Sequence, residues 1–237
     1  MQFLDLTLPT LEENLALDEA LLQAAEAAGG AEFLRLWESS QYGVVLGRNC
    51  RLSQDVWTDR CLADDVALQR RVSGGGTVLL GPGCLNYSLV LRYDRAPDLE
   101  SVPHAFDYVL RRMQFAIGTC KLECRVVGTD LVVGDRKIGG SAQRRQHTHL
   151  LHHGTILYSF ELTRIPRYLR EPPRQPEHRK RRDHLSFVIN LPVSVCELRK
   201  AIVEVWNADP AGPFELEDQV ATLVAQRYAD ARWVQRL

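Results

Sequence analysis

Three consecutive glycines, Gly74-Gly75-Gly76, sit between two strand-like stretches, residues 66–71 and 86–92, and nothing else in the 237 residues narrows the fold as much. Glycine loses more conformational freedom on folding than any other residue, so a run of three needs a reason. The usual reasons are a positive φ angle or close approach of a ligand to the main chain. The loop is not a Walker A sequence, because no Gly-Lys-Ser/Thr follows, and it is not a GxGxxG that opens a helix. Amides bared by such a loop form a nest for an anion, and Arg71 adds a fork suited to phosphate or carboxylate. The plain alternative is a tight hairpin turn with Arg70 and Arg71 solvated.

Around this loop the pattern alternates without a strict βαβ rhythm. Residues Leu11–Ala28 read as an amphipathic helix, capped by Thr10 with Glu13 three residues on and stopped by Gly29-Gly30. Phe33–Trp37 and residues 43–47 read as strands, and 52–63 and 103–117 as helices. From 124 to 158 the text is strand-like, with turns at Gly128-Thr129 and Gly134-Asp135. A polar, proline-rich stretch covers 164–184, and helices near 193–206 and 216–227 close the chain. This order predicts an α+β fold with mixed or antiparallel sheets flanked by helices.

Composition removes several functions. A formal net charge of −1 argues against nucleic acid or a membrane surface as the main partner. No stretch approaches the length of apolar residues that spans a bilayer, and the N-terminus lacks a signal-peptide pattern. The six cysteines form no CxxC pair, which fits reduced thiols in a cytoplasmic protein. No protein metal site is expected.

Three further segments could carry chemistry. Lys137 follows the turn at Gly134-Asp135 and enters a strand whose next residues include Gly139 and Gly140. Small residues beside a strand lysine suggest that a ligand fills the missing bulk, and the ammonium could steady a developing phosphate or carbonyl charge. His152 and His153 are adjacent on a strand, so they face opposite ways and cannot chelate one metal. One of them is expected to be buried and to steady the neighbouring hairpin. The basic run Arg164, Arg167, Arg170, Arg174, Arg179, Lys180, Arg181 and Arg182 reads as a solvated loop or as a docking surface for an acidic partner.

Taken in order, Arg70-Arg71-x-Ser73-Gly74-Gly75-Gly76-Thr77-Val78, Gly83-x-x-Asn86-Tyr87-Ser88, Asp130-Leu131, Lys137-Ile138-x-Gly140-Ser141-Ala142-Gln143 and His153-Gly154-Thr155-Ile156-Leu157 resemble the lipoate–protein ligase A family. The likeness implies a class II synthetase-like catalytic domain of the biotin/lipoate ligase type over residues 1–237, without an accessory C-terminal domain. A separate subunit could supply that accessory function. The likeness also implies ATP, Mg²⁺ held by phosphates, and lipoate with lipoyl-AMP as intermediate. The implied acceptor is a lysine on a lipoyl domain, such as that of a 2-oxoacid dehydrogenase E2, or on the glycine-cleavage H protein.

By the same likeness Lys137 contacts both carbonyl and phosphate. Arg71, Ser73, Gly74, Gly75, Gly76, Thr77, Val78 and Leu79 form the substrate and ATP site, with Asn86, Asp130, Gly140, Ser141 and His153. One departure is Leu80, where the family's loop often carries histidine. Two alternatives remain open. One is an ATP-independent octanoyl or lipoyl transferase with Cys124 or Cys84 as thioester nucleophile and an acyl-carrier-protein donor, although the Cys-Phe-x-x-Pro-Ser text of such enzymes is missing. The other is a lipoyl-protein binding module without turnover.

Overall fold

The structure, a computed structural model, describes residues 1–212 and 215–236. Its strands are β1 (Gln2–Asp5), β2 (Phe33–Trp37), β3 (Gly43–Leu46), β4 (Ala67–Arg70), β5 (Val78–Leu80), β6 (Cys84–Arg92), β7 (Arg125–Val127), β8 (Asp130–Val133), β9 (Arg136–Arg145), β10 (His149–Leu157) and β11 (Asp209–Pro210). The α-helices are α1 (Leu11–Ala28), α2 (Leu52–Asp55), α3 (Thr58–Ala63), α4 (Val102–Thr119), α5 (Arg164–Tyr168), α6 (His184–Phe187), α7 (Val195–Val205), α8 (Glu217–Leu223) and α9 (Ala231–Val234).

Eight strands form one sheet in the order β11-β1-β2-β6-β10-β9-β8-β7, and β4-β3-β5 form a second. From β2 to β7 every pairing in the large sheet is antiparallel, while β1 runs parallel to both neighbours. Helices lie on both sides, so the expected α+β architecture of mixed sheets flanked by helices is the one found.

Period-two alternation sorts the large sheet into two faces. Leu85, Tyr87, Leu89 and Leu91 of β6, with Leu150 and Ile156 of β10, bury against α4 and α7. On the opposite face Trp37, Cys84, Val90, Leu151 and Leu157 bury with α1 and the small sheet. Helix α1 starts with the expected capping box, in which Glu13 N–H donates to Thr10 Oγ1 at 3.2 Å and Thr10 N–H to Glu13 Oε2 at 2.9 Å. Gly29, at φ +70°, ends it in the left-handed conformation glycine favours. The two strand turns come where the glycines predict them: Gly128 and Gly134 both have positive φ, at +61° and +60°.

Two elements differ from the sequence pattern. The stretch 52–63 is two short helices, because at Val56 the chain leaves the helix to form an antiparallel bridge with Leu169. The basic stretch is only in part a solvated loop. Arg167 pairs with Asp64 at 2.6 Å, Arg182 with Asp135 at 2.7 Å, and Arg179 with Glu171, while Arg170 lies over the Trp57 ring. Arg174, Lys180 and Arg181 make no side-chain hydrogen bond or ion pair among the described residues.

The two histidines of β10 face apart, as their spacing requires. His152 is fully buried on the α4 side, between the Tyr87 and Phe106 rings, with Nδ1 3.0 Å from Gln143 Nε2 on β9. Burial, with help from the charge of His153, pushes its pKa down to about 3. An unfolded histidine titrates near ~6.5, so between these values the unfolded chain binds a proton that the folded one does not. Stability therefore falls as pH drops below about 6.5, by up to roughly 1.4 kcal/mol per unit from this group. His152→Leu should flatten that slope. Urea midpoints from pH 7 to 4 would test it, and identical slopes for both proteins would exclude His152 as the cause.

Candidate active site

Lys137 owes its position to an irregularity in β9. Asp130 pairs with Gly140 and Leu131 with Gly139, but Val132 pairs with Lys137, so Ile138 is an inserted residue. Ile138 packs into the layer under α4, while the lysine meets Asp130 on the other face, Nζ to Oδ1 2.7 Å. His178, from the basic stretch, reaches the second carboxylate oxygen at 3.1 Å. The bulk expected from a ligand at Gly140 comes from the lysine itself: a Cβ there would stand 2.5 Å from Nζ. Gly139 has a different reason, since its Cβ would fall 2.0 Å from the Thr155 carbonyl oxygen.

The glycine loop is held from beneath by Arg71. Its Nη2 donates to the carbonyls of Gly74 at 2.6 Å and Gly76 at 2.8 Å, its Nε to Ser73 Oγ at 2.9 Å, and its Nη1 to Val45 at 3.3 Å. No carboxylate pairs with it among the described residues, and burial pushes its guanidinium down to about 10. With the carbonyls turned toward Arg71, the N–H groups of Gly74, Gly75, Gly76 and Thr77 donate to nothing among the described residues. Arg70 is also fully buried, donating to the carbonyls of Gly47, Cys50 and Val234. Neither arginine is solvated, so the plain hairpin alternative is excluded.

Behind the loop runs a buried polar chain. Ser73 Oγ lies 2.6 Å from His153 Nε2, His153 Nδ1 lies 3.2 Å from Asp18 Oδ2, and Asp18 Oδ1 pairs with Arg35 at 2.7 Å. Burial alone would push the Asp18 carboxyl up, but the His153 hydrogen bond and the Arg35 charge hold it below its ordinary value. The order serine–histidine–aspartate matches a nucleophilic triad in geometry. Its chemistry does not follow, because Ser73 is fully buried, lines no cavity, and already accepts a hydrogen bond from Arg71.

Two spaces meet at Lys137. A small cavity of about 170 Å³ has an apolar wall from Leu15, Trp37, Val45, Leu80 and Tyr87. Beside it an open groove of about 1440 Å³ runs along Asn49, Cys50, Asp55 and the segment containing Arg170, Arg174 and Lys180. Gly75, Gly76, Thr77, Val78, Asp130 and Lys137 line both. The cavity lies below the roughly 300–1,000 Å³ of drug-sized sites and suits a narrow chain, whereas the groove can take a larger polar ligand.

The structure thus gathers most of the residues singled out from the sequence. Arg71, Asn86, Gly140, Ser141 and His153 line the cavity, and Leu79 lines the groove. Ser73 and Gly74 line neither and act from behind the wall. The two candidate nucleophiles are corrected. Cys84 is fully buried at the start of β6, and Cys124 is buried under α4, its thiol pushed up to about 11 by desolvation. Both are low in thiolate and away from the cavity, so neither can serve as thioester nucleophile. Residues that the sequence reading missed are Asp18, Trp37, Asp55, Thr129, Thr155 and His178. Asp18 had left a sign: with Asn14 it interrupts the apolar face of α1 at a spacing of four.

The family described as the lipoyl protein ligase A/B catalytic domain matches residues 10–206. The chain belongs to this family. It is 30% identical over 197 residues to a putative lipoate-protein ligase A of Aeropyrum pernix, a match covering 82% of this chain and 70% of that one. It spans 65% and 39% of two other curated relatives, both lipoate–protein ligases. Among solved structures, the bi-partite lipoate protein ligase of Thermoplasma acidophilum, studied with its E2 lipoyl domain, superposes with a TM-score of 0.84. The identity is 22%, covering 100% of this chain and 96% of that one. A lipoate-protein ligase A bound with ATP gives 0.81 at 24% identity, covering 99% and 98%. At such identities these two likenesses speak for the fold.

Proposed function

We propose that the protein attaches lipoyl or octanoyl groups to an acceptor lysine through an acyl-adenylate. The observation that carries this reading is the place of Lys137, at the junction of a small cavity with an apolar wall and a basic groove, with four loop amides that donate to nothing among the described residues. The acyl chain lies in the cavity and the adenylate in the groove. In the first step a carboxylate oxygen attacks the α-phosphate of ATP and pyrophosphate leaves. In the second, the acceptor amine attacks the mixed anhydride, forming the amide and releasing AMP. Lys137 steadies the charge that develops on carbonyl and phosphate oxygens in both steps.

Mg²⁺ belongs on the phosphates. The groove's carboxylates are Asp55, Asp130 and Glu177. Asp55 already accepts the Thr77 hydroxyl at 2.5 Å, and Asp130 is held by Lys137 and His178. No group of three metal-ligating side chains occurs among the described residues. The acceptor we propose is a lipoyl domain of a 2-oxoacid dehydrogenase E2 or a glycine-cleavage H protein, with Arg174, Lys180 and Arg181 available to an acidic surface. The Thermoplasma enzyme, described as bi-partite, is a precedent for a separate accessory subunit. No helix among the described residues is long and apolar enough to cross a membrane, in keeping with the cytoplasmic location we propose.

One assay tests the reading. An H protein is incubated with lipoate plus ATP in one tube and with octanoyl-acyl-carrier protein in the other, for wild type, Cys124→Ser and Cys84→Ser. ATP-dependent product that both serine variants retain is expected. Product formed from the carrier protein without ATP, and lost in either variant, would establish the transferase instead.

A further inference from the structure

Asp18, on α1, lies across the His153 ring from Ser73 and itself borders the cavity, but it has no part in the two steps proposed above. Its chemistry reaches the loop nonetheless. Ionised, it can only accept hydrogen bonds, and it takes three: from Arg35 on Oδ1, and from Ser88 Oγ at 2.7 Å and His153 Nδ1 at 3.2 Å on Oδ2. A neutral His153 must therefore carry its hydrogen on Nδ1, which leaves Nε2 as an acceptor. The Ser73 hydroxyl then donates to Nε2, and its oxygen stays open to the Arg71 Nε–H at 2.9 Å. Arg71 in turn grips the Gly74 and Gly76 carbonyls. Each link fixes the polarity of the next, from the buried Arg35–Asp18 pair to the wall of the cavity.

We propose that Asp18 is a positioning residue which, through the His153 tautomer and the Ser73 hydroxyl, fixes Arg71 and the glycine loop in the ligand-binding conformation. The kinetic part rests on the ligase reading; the tautomer part does not. Asp18→Asn makes the sharper test. Arg35 Nη1 needs an acceptor, so the amide oxygen turns to Arg35 and the NH₂ faces His153 Nδ1. The ring hydrogen then moves to Nε2, and Ser73 meets donors from both sides. Ser73→Ala cuts the same chain at its other end and leaves the Arg35–Asp18 pair intact, so it covers the case in which the asparagine variant does not fold.

The experiment combines nitrogen-15 NMR of the His153 ring with steady-state kinetics for lipoate and ATP. Nδ1–H is expected in wild type and in Ser73→Ala, and Nε2–H in Asp18→Asn. Each single variant should raise KM for lipoate about tenfold while kcat changes less than about threefold, the size expected for one lost buried hydrogen bond away from the reacting atoms. The double variant should be no worse than Asp18→Asn alone, to within about twofold, because both changes break one chain. A wild-type ring protonated on Nε2, an unchanged KM in Ser73→Ala, or multiplying losses in the double variant would overturn the proposal. A wild type without ATP-dependent turnover would remove the ligase reading, and the ring tautomers would still decide the link from Asp18 to His153.

Discussion

Lys137→Ala is expected to lower kcat/KM for lipoate by about 10²–10³-fold, the range seen when one preorganised donor to a developing charge is removed. The fold should not change with it. The lysine is more than a quarter exposed, its one ion pair among the described residues is with Asp130, and that carboxylate keeps its hydrogen bond from His178. Thermal midpoints of the two proteins should therefore agree closely. Lys137→Arg should rescue little. The lysine stem lies over the bare Cα of Gly140, so closely that a Cβ there would stand 2.5 Å from Nζ and 2.8 Å from Cε. A planar guanidinium does not reproduce a compact point charge there. Pyrophosphate release and transfer from preformed lipoyl-AMP should both fall, since the ammonium serves both steps. Near-normal activity in Lys137→Ala would remove the centre of the proposed site.

How much of this was legible in the sequence depends on the range of the interaction. Helix α1 was readable to its ends because its signals are local: Thr10 and Glu13 close one turn, and Gly29 opens the next conformation. The turns at Gly128 and Gly134 were readable for the same reason. The break at Val56 was not, because its cause is Leu169, more than a hundred residues away. The site shows the same division. Loop glycines, Arg71 and Lys137 stand out by their own residue types and order, and the structure brings Gly75, Gly76, Arg71 and Lys137 to one cavity. Asp18 looks like one more acid on a helix until Arg35, Ser88 and His153 are brought to it from three strands. His178 is hidden in a basic stretch, four of whose arginines, Arg164, Arg167, Arg179 and Arg182, pair with acids near or distant in sequence. Cys84 and Cys124 misled in the opposite way, since a cysteine's type suggests a nucleophile while only its packing shows the thiol to be buried.

The three glycines that first narrowed the fold should separate when replaced singly. Gly75 alone has a backbone reason to be glycine: its φ is +82°, and a Cβ would stand 2.9 Å from Arg71 Nη2. Gly75→Val therefore strains the main chain, by about 1–2 kcal/mol for a left-handed residue, and displaces the arginine that clamps the loop. The loop cannot retreat, because Gly47 lies so close behind that a Cβ there would sit 2.0 Å from the Gly75 carbonyl oxygen. Both stability and turnover of lipoate should fall, kcat/KM by about 10²-fold if the loop moves by ~1 Å. Gly76 has no such constraint, since an added Cβ would meet no atom within 4 Å, yet it lines both cavity and groove. Gly76→Val should leave the unfolding midpoint alone and raise KM sharply, because the space it fills is the ligand's. Gly74 lines neither space and also has room, so Gly74→Ala should change little in either measurement. Calorimetry beside lipoate kinetics for the three variants reads this order directly. Equal losses in all three would mean that the loop needs glycine only for its backbone, and the anion nest would lose its support.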